Sequence, residues 1–586
     1  MENMTTVSEL LRHVEKKYKN PKALNEFAKG AWISTSTEEM LEQIREIALG
    51  LHALGIKKGQ KIALLAFPNP QWSIIDMAII VAGAISVPIF PNISDESFVF
   101  EVEQSEATTL FLGDGIPERL YPAHKELFKT VICMHVQSSE PDKLSLEKLR
   151  ELGRNIDQQL PHKYEELLEG AHSDDIATII YTSGSTGVPK GAEISHRAIT
   201  SLISFQGFNW DSNADRYLSI LPLAHVFGRV MNFCFLAWGI SIYYLNDPNS
   251  LPLACQLAHP TILVVVPRVL EKVYIKMVEK VDQAGFFKRA IAHWAFDLAN
   301  DEHDESLKKQ LLHPIADKIV YSTLREAFGG SIRVIISGGA PLSPHLAHFY
   351  IDIGLQVYEG WGLTEACPIT VNYPENRKVG TVGKALPGME MKLGPEDEIL
   401  VKGPILMKGY YKNEVASKSF DADGWLKTGD KGAIDSEGYL TIIGRLKELL
   451  KTSTGEYVVP VPIEQALSKA PLVDMAMVVA DRRKYTTCLI FPNLNLLNKL
   501  KESSGYTSLS HEDFLSTPLI REQMQKVIDQ INEHLNKYEK IQDFRFIPHA
   551  PSVESGELTP SMKIRRDAVE QRYKELIDTM YPKESL

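Results

Sequence analysis

Residues 181–191 form the stretch of this sequence with the clearest chemical character, reading Tyr-Thr-Ser-Gly-Ser-Thr-Gly-Val-Pro-Lys-Gly. An apolar run, Ile176–Tyr181, precedes them and predicts a buried strand. Glycine lets a backbone approach an anion, successive N–H groups form an anion-binding nest, and Ser and Thr hydroxyls donate further hydrogen bonds. The stretch therefore has the composition of a loop that folds closely around phosphate oxygens.

The loop differs from the common nucleotide-binding P-loop. That pattern requires Gly-Lys followed directly by Ser or Thr and the start of a helix, whereas Lys190 is preceded by Pro189 and followed by Gly191. On composition alone, the alternative is a strand-to-loop turn rich in turn-forming residues. The candidate phosphate-binding residues are Thr182, Ser183, Gly184, Ser185, Thr186, Gly187 and Lys190.

Four later segments also combine glycine with polar or aromatic side chains. They are Tyr358-Glu-Gly-Trp-Gly-Leu-Thr-Glu365, Trp425-Leu-Lys-Thr-Gly-Asp430, Gly444-Arg-Leu-Lys-Glu-Leu449 and Leu558-Thr-Pro-Ser-Met-Lys563. Together with the loop, and in this order, they resemble the signatures of the adenylate-forming superfamily: acyl-CoA synthetases, luciferases and peptide-synthetase adenylation domains. Five matches in order leave little room for chance. Residues 262–345, with a long charged helical insertion at 275–327, resemble the long-chain fatty-acid–CoA ligase branch.

The resemblance implies an α/β fold in two parts. The large N-terminal domain has mixed or parallel sheets flanked by helices, plus a distorted β-barrel beyond Val379. A small, mobile α+β lid follows it. We place the large ATP- and acyl-binding domain at residues 1–444, the hinge at 445–451 and the lid at 452–586.

The same resemblance assigns roles to individual residues. The nucleotide would lie against Gly338, Gly339, Ala340, Glu359, Gly360, Trp361, Gly362, Thr364, Asp430 and Arg445. Trp361 offers a flat face to adenine, although a core aromatic is the ordinary alternative. Asp430 suits the ribose hydroxyls, and Arg445 suits ribose or phosphate. The residues implied in catalysis are Lys563, His225, Glu365 and Lys447.

A divalent cation is implied as well. Mg²⁺ bound to a triphosphate takes one or two oxygen ligands from the protein and the rest from phosphate and water. By resemblance the two protein ligands are the Thr182 hydroxyl and the Glu365 carboxylate. His225 would line the carboxylate pocket and Lys447 would be the hinge residue.

The sequence departs from the family pattern at two places. Arg229 occupies the position where some members have a tryptophan that gates the fatty-acid tunnel. Met562 precedes Lys563, where many members have glycine. Leu-Thr-Pro-x-x-Lys without the glycine is how long-chain members look, so Lys563 is kept as the catalytic lysine.

Composition narrows the class of protein. A chain of 586 residues is too long for one hydrophobic core, and a net charge of −12 argues against nucleic-acid binding. Five well-separated cysteines favour a reducing compartment. Met1–Glu15 does not have the pattern of a secretory signal. We therefore expect a cytoplasmic protein, with peripheral contact at the inner face of a membrane left open.

Periodicity predicts alternating strands and helices, as in parallel sheets covered by helices. Strands are expected at Lys61–Ala66, Thr108–Leu112 and Thr130–Cys133. Residues Val7–Leu54 are predicted to be helical throughout, with a helix start at Ser36. Residues 138–175 are predicted to be irregular, and a strand from Leu355 is predicted to end at Tyr358.

The function that the resemblance implies has two half-reactions. A fatty acid is activated by ATP as an acyl-adenylate, and a pantetheine thiol then takes the acyl group with release of AMP. Nothing in the sequence separates CoA from an acyl carrier protein as the acceptor. A luciferase or peptide-synthetase module is disfavoured, since no carrier domain follows the lid segment. From another class, a non-catalytic nucleotide- or fatty-acid-binding protein is disfavoured by Lys563, Glu365 and Asp430 occurring together. The oligomeric state is not readable from the sequence.

Overall fold

The computed structural model describes residues 4–134, 143–183, 189–205, 207–300, 307–413 and 419–581. The chain divides into two compact units. The N-terminal unit consists of Met1–Gly394, Ile399–Thr428 and Ala433–Thr441. The C-terminal unit consists of Pro395–Glu398, Gly429–Gly432 and Ile442–Leu586. Among the described residues, no helix is both long enough and apolar enough to cross a membrane.

The N-terminal unit contains most of the strands. They are β1 (Leu24–Ala28), β2 (Ala31–Thr35), β3 (Lys61–Leu65), β4 (Ile85–Ile89), β5 (Thr109–Leu112), β6 (Thr130–Cys133), β7 (Leu144–Ser145), β8 (Ile176–Ser183), β9 (Pro189–Ser195), β10 (Arg216–Ser219), β11 (Ser241–Tyr244), β12 (Ile262–Val265), β13 (Val334–Ser337), β14 (Val357–Leu363), β15 (Ala366–Val371), β16 (Lys384–Ala385) and β17 (Glu390–Leu393). Three strands include residues of both units: β18 (Glu398–Lys402), β19 (Leu426–Ile434) and β20 (Leu440–Arg445).

The helices of this unit cover its sheets. They are α1 (Val7–Lys17), α2 (Thr37–Ala53), α3 (Pro70–Val81), α4 (Asp95–Ser105), α5 (Leu146–Gln159), α6 (Lys163–Glu169), α7 (His196–Thr200), α8 (Val226–Ala237), α9 (Leu251–Ala258), α10 (Pro267–Asp282), α11 (Phe286–Asn300), α12 (Leu307–Ala316), α13 (Ser322–Glu326) and α14 (Pro344–Asp352). A π-helical turn at Asp317–Tyr321 joins α12 to α13. The predicted helical insertion is thus seen in the described part of 275–327.

Two large sheets organise the N-terminal unit. A nine-stranded sheet has the order β16-β15-β14-β13-β12-β10-β11-β1-β2, and a seven-stranded sheet has the order β7-β6-β5-β3-β4-β8-β9. Neighbours in the middle of each sheet are parallel, while β14/β15 and β8/β9 are antiparallel. The central strands β12 and β13 are buried along their whole length, as expected for strands covered by helices on both faces. The predicted α/β class is confirmed.

A smaller four-stranded sheet, β17-β18-β19-β20, occupies the region where the sequence predicts a distorted barrel. Strands β17 and β18 pair antiparallel, with Glu390 opposite Lys402 and Leu393 opposite Ile399. In the described residues β17 and β20 are the edge strands of this sheet.

The C-terminal unit is a small α+β structure. Its core sheet has the order β23-β24-β25, in which the first pair is antiparallel and the second parallel. Its strands and helices are β21 (Leu450–Lys451), β22 (Tyr457–Val458), β23 (Val473–Val479), β24 (Thr486–Pro492), β25 (Ile541–Phe546), α15 (Pro460–Ser468), α16 (Leu494–Ser503), α17 (His511–Leu515), α18 (Pro518–Glu533), α19 (Arg566–Arg572) and α20 (Lys574–Asp578). The amphipathic helix predicted near Ile520 is α18, which buries Ile520, Met524 and Ile528 on one face.

Two local predictions are wrong. The helical pattern predicted across Val7–Leu54 is interrupted by β1 and β2, because Leu24 and its neighbours pair with β11. The predicted helix start is correct: the Ser36 hydroxyl accepts the Glu39 N–H at 3.2 Å, and the Glu39 carboxylate accepts the Ser36 N–H at 2.7 Å.

The second wrong prediction is the irregular structure at 138–175, where α5 and α6 form. Helix α5 is polar on most of its surface and is held to α2 by a buried carboxylate. Glu46 accepts from Arg150 at 2.6 Å and from Arg154 at 3.1 Å. These long-range ion pairs leave no periodic signal in the sequence of α5 itself.

Candidate active site

The parallel strands of the nine-stranded sheet bring several predicted residues to one edge. Ser219 at the end of β10 is opposite Val264, Val265 at the end of β12 is opposite Ser337, and Ser337 is opposite Glu359. The loops that follow β10 and β13 therefore leave the sheet at the same edge, where ligands bind in open α/β sheets.

His225 lies in the loop after β10 and begins helix α8. Its Nδ1 accepts the Phe227 N–H at 3.2 Å, and its carbonyl accepts the Arg229 N–H at 3.2 Å. The residue is half-buried. The position of the imidazole is therefore determined by the orientation of α8.

The glycine pair after β13 has structural reasons of its own. A Cβ on Gly338 would lie 3.2 Å from the Gly360 oxygen and 3.3 Å from the Phe227 ring. Gly339 has φ +81°, a region that side chains disfavour. Gly338 is buried, whereas Gly339 and Ala340 are exposed. The loop thus presents exposed backbone at this edge of the sheet, as a binding surface for adenine requires.

Glu359 is a buried carboxyl group in β14. Its Oε2 accepts the N–H of Leu342, in the loop after β13, at 3.3 Å. Burial raises the pKa of Glu359 to about 7, while hydrogen bonds from the Leu342 and Gly380 N–H groups oppose the shift. Glu359 therefore holds the glycine loop through its side chain.

Strand β14 continues past the predicted end at Tyr358 and runs to Leu363. The prediction is wrong because the Gly-x-Gly sequence of this segment permits a tight hairpin with β15. A Cβ on Gly362 would lie 2.8 Å from the Ala366 oxygen, and one on Gly360 would lie 3.1 Å from the Thr370 oxygen. Trp361 is buried within this strand, and Thr364 and Glu365 form the hairpin turn.

Glu365 and the phosphate loop are connected through Tyr410, which sequence reasoning missed. The Tyr410 hydroxyl donates to a Glu365 carboxylate oxygen. Tyr410 pairs with Ala192 on β9, and its ring centroid is 5.7 Å from the Lys190 ammonium. Lys190 is opposite Thr182 in the β8/β9 pair. The structure therefore brings the two ends of the loop and Glu365 into one neighbourhood.

The predicted phosphate loop is described only at its two ends. Strand β8 includes the backbone of Thr182 and Ser183, and β9 begins at Pro189. The predicted strand Ile176–Tyr181 is thus confirmed and extends to Ser183. Gly184, Ser185, Thr186 and Gly187 lie outside the described residues, as does the Ser183 side chain.

The C-terminal unit brings three predicted residues together. The Arg445 Nε lies 3.0 Å from the buried Asp430 carboxylate. Lys563 is exposed as a residue, but desolvation of its ammonium, followed by the charge of Arg445, lowers its pKa. Asp430 and Glu448 oppose that shift. Lys447 is exposed in the short helical turn Leu446–Glu448.

Lys563 is carried by a tight hairpin. The Lys563 N–H donates to the Thr559 hydroxyl at 3.1 Å, and the Lys563 carbonyl accepts the Thr559 N–H at 2.8 Å. Leu558 pairs with Ile564 across the turn. Met562 has φ +64° and an exposed side chain. This left-handed conformation explains physically why glycine suits the position before the lysine.

The base of this hairpin is anchored by Glu557, whose carboxylate is buried. It accepts the Ser555 hydroxyl at 2.7 Å and the Tyr573 hydroxyl at 2.5 Å, and Arg572 lies 3.6 Å away. The Glu557 carbonyl accepts the Arg565 N–H at 2.8 Å. The lysine is therefore mobile only at its side chain and turn, above a fixed base.

Arg229 does not adopt the role of a swinging gate. Its guanidinium forms two hydrogen bonds with Asp76, at 2.5 and 2.8 Å, and both side chains are 2% exposed. A buried pair of this kind costs several kcal/mol, roughly 3–5, when one partner is removed. The side chain is thus fixed in the core of the N-terminal unit.

The donor set fits a hard cation bound mainly by phosphate. Thr182 offers a hydroxyl and Glu365 a carboxylate held by Tyr410, both oxygen ligands that Mg²⁺ accepts. Within the described ranges no cluster of three or more His, Cys, Asp or Glu side chains could hold a metal without such a partner. The protein would therefore supply few of the ligands.

Comparison with known families places most of the chain. Residues 11–411 match the model of the AMP-binding enzyme family, and residues 447–585 match the model of the AMP-binding enzyme C-terminal domain. A long-chain-fatty-acid–CoA ligase of Mycobacterium bovis, FadD15, is 33% identical over 95% of this chain and 93% of its own. Long chain acyl-CoA synthetase 4 of Arabidopsis thaliana is 30% identical over 94% of this chain and 87% of its own.

Solved structures share the fold. The adenylation domain of a carboxylate reductase from Mycobacterium chelonae superposes with a TM-score of 0.76 at 22% identity, covering 99% of this chain and 92% of that one. An anthranilate CoA ligase, AuaEII, superposes with a TM-score of 0.72 at 17% identity, covering 99% of both chains. At this level of identity the likeness concerns the fold alone.

Proposed function

Since the chain belongs to the AMP-binding enzyme family, we propose that it is a long-chain fatty acid–CoA ligase. It converts fatty acid, ATP and CoA into acyl-CoA, AMP and pyrophosphate through an acyl-adenylate. The observation that carries the proposal is the match, over nearly the whole chain, to relatives that are named for this reaction. The contact of Glu365 with Tyr410, beside Lys190, supports the adenylation half.

In the first half-reaction the fatty-acid carboxylate attacks the α-phosphorus of ATP. A bond forms between a carboxylate oxygen and phosphorus, and the bond from that phosphorus to pyrophosphate breaks. The protein contributes mainly position and charge. His225 orients the carboxylate, Lys190 and the loop hydroxyls hold the phosphates, and Lys563 stabilises the charge that develops on them.

Adenine and ribose have separate supports. The exposed backbone of Gly339 and Ala340 lies against adenine, with Trp361 and Gly360 in the strand beside it. Asp430, paired with Arg445, accepts from the ribose hydroxyls. Bound Mg²⁺, held by Thr182 and Glu365, would neutralise charge on the triphosphate.

In the second half-reaction the CoA thiol attacks the acyl-adenylate carbonyl. A carbon–sulfur bond forms, the carbon–oxygen bond to phosphate breaks, and AMP leaves. We place the hinge at residues 445–451, with Lys447 exposed within it. Rotation there removes Lys563 and brings the turn around Gly455 towards the site. A lid that exchanges faces separates two incompatible steps.

The finer assignments belong to the same proposal. The domains are 1–444, 445–451 and 452–586, and the protein acts in the cytoplasm, with peripheral contact at the inner membrane face left to experiment. CoA is the acceptor, and a carrier protein is the competing acceptor. Parallel assays with CoA and with a phosphopantetheinylated carrier protein decide between them, because only the true acceptor releases AMP stoichiometrically.

The substrate class is tested by a competition series of saturated acids from about two to twenty carbons. Each methylene buried in an apolar tunnel contributes about 0.8 kcal/mol, so kcat/KM should rise roughly fourfold per carbon until the tunnel is full. Aromatic acids should be poorer than long saturated ones. A maximum at the shortest acids would contradict the long-chain assignment and leave the adenylation assignment intact.

A further inference from the structure

Arg229 is an unusual residue for its surroundings. It lies in the first turn of α8, a helix whose twelve residues are all buried and mostly apolar. A charge is rarely placed in such a position unless it is paired and hydrogen-bonded. Sequence comparison alone marks it only as a departure from a tryptophan.

The guanidinium completes a closed network of buried polar groups. Asp76 on α3 accepts two hydrogen bonds from Arg229, and its Oδ1 also accepts the Ser86 hydroxyl at 2.6 Å. Arg229 Nη1 donates to the Thr178 hydroxyl at 2.5 Å, which in turn donates to the Ser86 carbonyl at 2.7 Å. The Trp72 and Phe233 rings flank the guanidinium at 5.8 and 6.0 Å.

The network joins the elements that carry two parts of the site. Arg229 is one helical turn after His225, so the bidentate pair fixes the rotation of α8 that orients the imidazole. Thr178 is on β8, four residues before Thr182, which is about 13 Å along the strand. Arg229 therefore contacts both the carboxylate-pocket helix and the strand that leads into the phosphate loop.

We propose that the Arg229–Asp76 pair is a positioning device that sets the His225 helix relative to the phosphate-loop strand. It holds the fatty-acid carboxylate and the α-phosphate at reacting distance, without touching either. The proposal rests on the adenylation function proposed above. A buried ion pair is weak evidence for a stabilising role, since apolar residues of similar volume often replace such pairs without loss of stability. Geometry is the more direct reason for its presence.

This reasoning separates a positioning role from a structural one. In the double variant Arg229→Met with Asp76→Leu, both buried charges are removed together and the volume is roughly kept. A purely structural pair would give normal turnover once stability is normal. A positioning pair would give normal stability with impaired adenylation, because errors of about 1 Å can cost about 10²-fold in rate.

The experiment measures ATP–pyrophosphate exchange with a long-chain acid, together with thermal unfolding. We expect the double variant to unfold within a few degrees of the wild type, its exchange kcat to fall at least about tenfold, and KM for ATP to stay within about threefold. The matched control is Arg333→Met with Asp215→Leu, a pair at the opposite, amino-terminal ends of β10 and β13. It should leave kcat unchanged. Exchange within twofold of wild type in the double variant would overturn the proposal.

A second variant covers the case in which the double variant does not fold. Thr178→Val is nearly isosteric and removes only the bond from Arg229 to the phosphate-loop strand. Its exchange kcat should fall several-fold with little change in unfolding temperature, and an unchanged kcat would refute the positioning role. Should the wild type show no exchange, the adenylation function fails instead. The positioning claim is then tested by the NMR titration of the His225 ring, which Thr178→Val should shift and the control pair should not.

Discussion

The two units hold their candidate residues in different ways. In the N-terminal unit, Glu365, Glu359 and His225 are placed by strand register and by bonds from distant residues such as Tyr410 and Leu342. In the C-terminal unit, Lys563 is on an exposed hairpin turn next to a residue with left-handed backbone. The difference teaches that groups which orient the nucleotide are fixed by the fold, whereas the lysine is presented on a small movable element.

The largest effect should come from the movable element. Lys563→Ala is expected to lower adenylation about 10³-fold, because it removes a cation that stabilises developing charge. Thioester formation from supplied acyl-adenylate should stay near wild type, since the second step does not use this lysine. Stopped-flow or quench assays of each half-reaction measure both rates. Lys574→Ala, at an exposed lysine of the same unit, is the matched control.

An equal loss in both half-reactions, with native circular dichroism, would contradict the division of labour between the two faces of the lid.

On the fixed side, Glu365→Gln keeps size and loses one charge. We expect exchange to fall about 10²-fold and half-saturation by Mg²⁺ to shift to higher concentration, with nucleotide binding less affected. Titration of the exchange rate with MgCl₂ measures the shift. Glu375→Gln, an exposed carboxylate beyond β15, serves as the control. An unchanged magnesium dependence would exclude Glu365 as a ligand.

A smaller effect is expected at Glu359, and it depends on pH. Its pKa of about 7 in the folded protein lies above the value of 4.5 for an unperturbed glutamate. The folded state therefore binds more protons than the unfolded state between these values, and its contribution to stability falls as pH rises from about 4.5 to about 7. Glu359→Gln does not titrate, so its stability relative to wild type should rise across this window by up to about 3 kcal/mol.

Thermal unfolding of both proteins from pH 4.5 to 8 measures the difference. Any penalty from the altered hydrogen bond to Leu342 is independent of pH and appears as a constant offset. A difference that stays flat across the window would contradict the raised pKa.

The smallest effect should follow from Met562→Gly. A side chain in left-handed backbone costs about 1–2 kcal/mol, and the added freedom of glycine in the unfolded chain offsets part of the gain. We expect stability to rise by no more than about 1 kcal/mol, with exchange within twofold of wild type. Met562→Ala keeps the strained backbone and should give no gain. Thermal unfolding separates the two variants.

Local features of this molecule could be read from its sequence. The strand before the phosphate loop, the capping box at Ser36, and the strands and amphipathic helix of the C-terminal unit depend on near neighbours, which carry a periodic or capping signal. The order of the signature segments identified the family, and the family model matches confirm it.

Partners that are distant in sequence could not be read. Tyr410 is 45 residues from Glu365, and Arg229 is 153 residues from Asp76. The order of strands in the sheets decides which of the many tyrosines and aspartates become neighbours. Helix α5 and the full length of β14 were missed for the same reason, since tertiary contacts rather than local pattern stabilise them.

The central claim is that activation precedes transfer, through an acyl-adenylate bound to this protein. ATP–pyrophosphate exchange, measured with a long-chain fatty acid and magnesium but without CoA, tests it most directly. The account predicts exchange that depends on the fatty acid, requires no thiol, and is lost in Lys563→Ala. Acyl-CoA formation without any such exchange, or exchange that appears only when CoA is added, would contradict it.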